Sequence, residues 1–77
     1  MSQRFSTANY RQVAKVARVL GFYLYRQGKG SHEIWKRDSD NRFTTLPNHG
    51  SKDLKRKTLK AILDDLQISI DKFIEIK

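Results

Sequence analysis

Apolar residues recur at Tyr10, Val13, Val16, Ala17 and Leu20, three and four positions apart, while Arg11, Lys15 and Arg18 form a separate stripe. That spacing predicts an amphipathic helix ending near Leu20. Ser6 or Thr7 is its expected N-cap, residues 1–5 form a loose or lightly docked end, and Gly21 supplies the positive φ that stops the helix. The period then shortens. Residues 22–27 alternate, with Phe22, Leu24 and Arg26 on one face and Tyr23, Tyr25 and Gln27 on the other. Residues 32–36 and 42–46 are two further short runs, set off by polar turns at Gly28-Lys29-Gly30 and Asp38-Ser39-Asp40-Asn41. Three such runs with short turns predict an antiparallel meander.

Past Pro47-Asn48-His49-Gly50, helical spacing returns through Leu54, Thr58, Leu59, Ile62, Leu63 and Leu66. Ser51 is the expected cap, with Asp53 favourably placed in the first turn against the helix dipole. Ser69 caps a last short turn in which Ile70, Phe73 and Ile74 clasp the body. Short strands need one face covered, and the helices provide the cover. The expected fold is therefore α+β: a small two-layer α-β-β-β-α domain occupying residues 1–77, its three-stranded antiparallel sheet packed on two helices.

Seventy-seven residues enclose only a small core, so function is expected on a face rather than in a deep pocket. The chain has no cysteine, which removes disulfide and thiolate chemistry. The apolar stretch 13–25 is broken by Lys15, Arg18 and Gly21, so neither a signal peptide nor a membrane span is expected, and the protein is expected in the cytoplasm. No long helix pairs a large apolar face with a basic one, which argues against a membrane surface as partner.

Charge narrows the choice further. Sixteen Lys and Arg against eight Asp and Glu leave a net charge of +8. The excess is +7 within residues 1–37, and Lys52, Lys55, Arg56, Lys57 and Lys60 form a second basic cluster opposed only by Asp53. Such a balance suits nucleic acid or an acidic protein partner.

The chain has two histidines, His32 and His49, and few other groups suited to moving a proton near neutral pH. His32 follows Gly30-Ser31 at a strand start, where a long substrate can reach it. On RNA the ribose 2′-hydroxyl is a built-in nucleophile, and a neutral His32 can take its proton with no cofactor and no metal. Lys29, Arg26 and Lys36 are candidates to steady charge on the phosphoryl oxygens. Gly28 and Gly30 either let backbone N–H groups approach phosphate or form an ordinary hairpin turn. Ser31 is a candidate to bond phosphate or orient His32. His49 is either a proton donor to the leaving oxygen or a hydrogen bonder at the entry to the second helix. Tyr23, Tyr25 and Trp35 either stack on bases or pack within the sheet. Lys52, Lys55 and Lys57, read at a helix start, either hold phosphates or face solvent. No histidine pair at ligand spacing accompanies Asp38, Asp40 and Asn41, so no metal site is expected. The rival readings are a non-catalytic double-stranded-RNA-binding module and a protein-interaction domain for an acidic partner.

These elements occur in an order that resembles the HicA family of toxin ribonucleases. The resemblance runs through Leu20-Gly21-Phe22, then Arg26-Gln27-Gly28-Lys29-Gly30-Ser31-His32, then Leu46-Pro47-Asn48-His49. It continues at Lys57-Thr58-Leu59-Lys60-Ala61-Ile62-Leu63 and ends at Ile68-Ser69-Ile70-Asp71-Lys72-Phe73. Lys57 stands where the family often has Gly. The resemblance implies a fold like a double-stranded-RNA-binding domain and an endoribonuclease that cleaves mRNA and arrests growth. It implies a HicB-like antitoxin as partner. It places the family's essential histidine on His32, and gives Pro47 and His49 a structural or substrate-positioning role.

Overall fold

The computed structural model describes residues 7–77. The chain runs α1 (Tyr10–Val19), β1 (Tyr23–Gln27), β2 (His32–Arg37), β3 (Arg42–Pro47), α2 (Arg56–Leu66) and α3 (Ile70–Ile76). The strands form one antiparallel sheet in the order β1-β2-β3. The α-β-β-β-α order expected from periodicity is present, and a third helix of seven residues follows it where a single turn was expected. Ser69 caps that helix, its side chain accepting from the Lys72 N–H at 3.1 Å, and Phe73 is fully buried.

Helix α1 begins later than a Thr7 cap requires, and Ser6 lies outside the described residues. Asn9 is the cap: its side chain accepts from the Gln12 N–H while the Gln12 side chain accepts from the Asn9 N–H, both at 3.1 Å. This reciprocal pair satisfies two of the N–H groups that a helix start leaves open, which a lone Thr7 would not. The other end matches expectation. Gly21 takes φ +96°, and the Gly21 and Phe22 N–H groups close onto the Arg18 and Ala17 carbonyls at 3.0 and 2.9 Å.

Helix α2 starts at Arg56, so Ser51 is not its cap and Asp53 is not in its first turn. Lys55 holds the cap position with no side-chain bond. The segment before it is used otherwise. The Leu54 N–H donates to the Ala8 carbonyl at 2.8 Å, Asp53 bridges Asn9, and Leu54 is buried. Burying a leucine is worth about 1.5–3 kcal/mol, against about 1 kcal/mol for a serine cap. The segment therefore stays extended and docks on the start of α1.

Trp35, Leu46, Leu59, Leu66, Val13 and Val16 centre the core between the sheet and the helices. Trp35 is buried, so it is closed to base stacking. Strand β1 is an edge strand whose five residues are all exposed, and its expected alternation fails after Leu24. Leu24 pairs with Trp35, but Arg26 pairs with Ile34, leaving Tyr25 as the extra residue of a β-bulge. The bulge moves Arg26 to the face of Tyr23 and Tyr25 and sends Gln27 to the other. Among the described residues, no helix is long and apolar enough to cross a membrane.

Candidate functional site

His32 opens β2 directly after the Gly28–Ser31 turn. Its backbone is held from three sides: its carbonyl accepts from the Gly28 N–H at 2.8 Å and from Gln27 Nε2 at 2.9 Å, and its N–H donates to the Lys29 carbonyl at 3.1 Å. The Gly28 N–H is thus spent on the hairpin, which is the ordinary-turn reading of that glycine. A Cβ at Gly28 would lie 3.1 Å from the His32 carbonyl, so any larger residue there would push the hairpin backbone apart by a few tenths of an ångström. Gly30 offers its carbonyl to Gln27 Nε2 at 3.3 Å. With the backbone fixed in this way, the exposed imidazole is presented on a rigid strand start.

The imidazole lines an open cleft of about 640 Å³, with Pro47, His49, Lys52, Asp53, Leu54, Lys55 and Thr58 forming the rest of its wall. Pro47 is the cross-strand partner of His32, which places the β3 exit beside the β2 start. The Ser31 carbonyl accepts from the Asn48 N–H at 2.9 Å and ties the loop bearing His49 to the turn bearing His32. Both histidines and two of the candidate lysines therefore meet in one place, although 17 positions separate the histidines.

The other candidates lie elsewhere. Lys57 faces solvent in the first turn of α2. Lys36 is four residues along β2 from His32, roughly 13 Å at strand rise, and is ion-paired to Asp38 at 3.5 Å. Tyr23 donates its hydroxyl to Asp38 at 2.9 Å, a bond that raises the Tyr23 pKa by stabilising the protonated phenol. Tyr25 packs edge-on against Phe43. Lys29 and Arg26 are exposed at the end of the β1–β2 hairpin.

Residues 10–68 match the family model described as the HicA toxin of bacterial toxin–antitoxin systems. The chain belongs to the HicA toxin family. No curated protein matches it. Family membership gives this HicA chain a toxin role and a place in a toxin–antitoxin pair, with an antitoxin as its counterpart.

Three residues of this candidate site in the HicA chain were not singled out by sequence reasoning. Asp53 and Thr58 line the cleft beside the histidines. Asp53 was hidden by its expected place in a helix, and only the docking of its segment on Asn9 brings it there. Glu33 is the third. It is buried at 7 % exposure, next in sequence to His32 and on the opposite face of the strand. Its carboxylate accepts from the Tyr10 hydroxyl at 2.6 Å, Trp35 Nε1 at 3.0 Å and Asn48 Nδ2 at 3.4 Å. Burial of Tyr10, followed by its hydrogen bond to Glu33 and the carboxylate charge, pushes its pKa up to about 12. The signal for Glu33 was present in the alternation, which puts a charged residue at an inward position beside Trp35. A buried acid there requires partners. Through Asn48, the same carboxylate steadies the loop that carries His49. Among the described residues, no group of three or more His, Cys, Asp or Glu is arranged to hold a metal ion.

Proposed function

We propose that this toxin is a metal-independent endoribonuclease acting on mRNA, with His32 as general base. The observation that carries the reading is the meeting of His32 and His49 in an open cleft walled by Lys52 and Lys55. Neutral His32 removes the proton from a ribose 2′-hydroxyl. The 2′-oxygen attacks the adjacent phosphorus, the P–O5′ bond breaks, and the products are a 2′,3′-cyclic phosphate and a 5′-hydroxyl. The leaving 5′-oxygen takes a proton from His49 or from water. Lys52 and Lys55 hold the phosphoryl oxygens as charge builds in the transition state. Lys29 and Arg26, beyond the cleft, guide the flanking phosphates, and Lys57 adds charge beyond Lys55. Ser31 holds the turn behind His32 through its carbonyl. A HicB-like antitoxin blocks the face that bears the cleft.

The test is cleavage of a labelled single-stranded RNA in EDTA by the wild-type protein, beside His32→Ala and an all-deoxy substrate. Cutting of RNA alone, lost in His32→Ala and leaving a cyclic phosphate, is the expected result. Full cleavage by folded His32→Ala overturns the assignment. Binding without any cutting by the folded wild-type protein, across a broad set of mRNAs, replaces the enzyme with an RNA-binding module.

A further inference from the structure

Four of the exposed large apolar side chains, Tyr23, Leu24, Tyr25 and Phe43, lie on β1 and β3. Phe43 and Tyr25 remain 46 % and 49 % exposed and meet edge to face, ring centroids 5.6 Å apart at 76°. The Lys36 ammonium sits 5.3 Å from the Tyr25 ring and 5.6 Å from the Phe43 ring. Phe43 pairs with Lys36 across β2 and β3, so both belong to the face on which alternation places Ile34 and His32. Tyr23 pairs with Lys36, so alternation places Tyr25 on that face too, and the bulge at Tyr25 turns Arg26 to it as well. Bulges beside functional sites re-aim side chains in this manner. A regular strand would have left Arg26 on the opposite face.

We infer that Tyr25 and Phe43, with Lys36 between them, form a stacking platform for unpaired bases of a single-stranded RNA whose backbone passes His32. The inference rests on the ribonuclease reading and deepens it by naming the form of the substrate. An aromatic ring with a free face takes any base, and a cation beside it adds attraction for the flanking phosphate. Asp38, paired with Lys36 and Tyr23, is the one carboxylate in these contacts, while Arg26 and Lys36 leave the platform with an excess of positive charge. A duplex keeps its base faces stacked internally and cannot use the platform. The roughly 13 Å from His32 to Lys36 corresponds to about four stacked nucleotides, or fewer when the strand is stretched.

The experiment uses His32→Ala protein, so that the RNA stays intact. A fluorescent 12-nucleotide RNA is titrated, single-stranded and annealed to its complement, against that protein and against versions also carrying Tyr25→Ala and Phe43→Ala. Both rings stand at the surface, and circular dichroism verifies the fold. The double change is expected to weaken single-strand binding roughly tenfold to hundredfold. Duplex affinity stays unchanged, and so does the salt dependence, because no phosphate contact is lost. Ring-keeping Tyr25→Phe and Phe43→Tyr are expected to hold affinity within about twofold. A 2-aminopurine in the single strand is expected to be quenched by the ringed proteins alone. Unchanged single-strand affinity overturns the inference and leaves the ribonuclease reading standing. So does an equal loss on duplex, or a loss confined to antitoxin binding, which would make the platform a protein-docking face. Failure of the His32→Ala protein to bind any RNA at low salt removes both.

Discussion

Glu33→Ala tests whether the buried carboxylate organises the site's scaffold. The change removes the acceptor of three hydrogen bonds. The partners pay unequally. Asn48 is exposed and Tyr10 half-buried, so water replaces most of what they lose. Trp35 is only 1 % exposed, and its Nε1–H is left without a partner. An orphaned buried donor costs about 1–3 kcal/mol, and the emptied side-chain volume adds about 1 kcal/mol. The expected loss is therefore about 2–4 kcal/mol. At about 0.05–0.15 kcal/mol per residue the whole fold holds roughly 4–12 kcal/mol, so the variant is close to the edge of stability. Glu33→Gln separates the causes. Tyr10 and Trp35 both donate to Oε1 and Asn48 to Oε2. A glutamine keeps the first oxygen and sacrifices only the second, so it is expected to cost about 1 kcal/mol. Urea unfolding followed by the fluorescence of Trp35, the single tryptophan, reads both. With a urea slope near the low end of the usual range, about 1–1.5 kcal/mol/M, Glu33→Ala lowers the midpoint by roughly 2 M. A midpoint within experimental error of wild type for Glu33→Ala, or a glutamine as damaging as the alanine, refutes the reasoning.

The same network gives a pH signature. Tyr10 titrates near 12 when folded and near 10 when unfolded, so its contribution is complete below pH 10 and disappears between pH 10 and 12. Water screening of the half-buried phenol limits the loss to about 1 kcal/mol. Tyr10→Phe should flatten that alkaline limb, and stability curves at pH 9 and 11.5 that stay parallel for the two proteins count against it. Gln67, just past α2, takes φ +60° without being glycine. Gln67→Gly is expected to gain about 1 kcal/mol, a rise in Tm of roughly 4–8 °C; a lower Tm would show that the glutamine side chain contributes more than its strained backbone costs.

Much of this protein was written in local pattern. The 3.6 and 2.0 periods gave the order of helices and strands because one buried stripe or face is enough to select each element. Gly21 and Ser69 marked ends that later took the expected geometry, since a positive φ and a side-chain cap are satisfied by the chain next to them. Gly30-Ser31-His32 and Pro47-Asn48-His49 were visible as short motifs, and they carried the family resemblance that the match over residues 10–68 bears out.

What only the tertiary structure decided lies where local preference lost to contact between distant segments. Ser51 and Asp53 read as a helix start, but pairing with Ala8 and Asn9 and burial of Leu54 kept the chain extended to Lys55. That extension brings Asp53 and Lys52 into the cleft of His32. A bulge leaves alternation unbroken on paper, so Arg26 changed face only when β1 was paired with β2. Alternation put Glu33 at an inward position beside Trp35, but only folding brought Tyr10, Trp35 and Asn48 to its two oxygens. Period and capping are set by neighbours a few positions apart, whereas a cleft, a bulge and a buried carboxylate are set by partners that only the closed fold supplies.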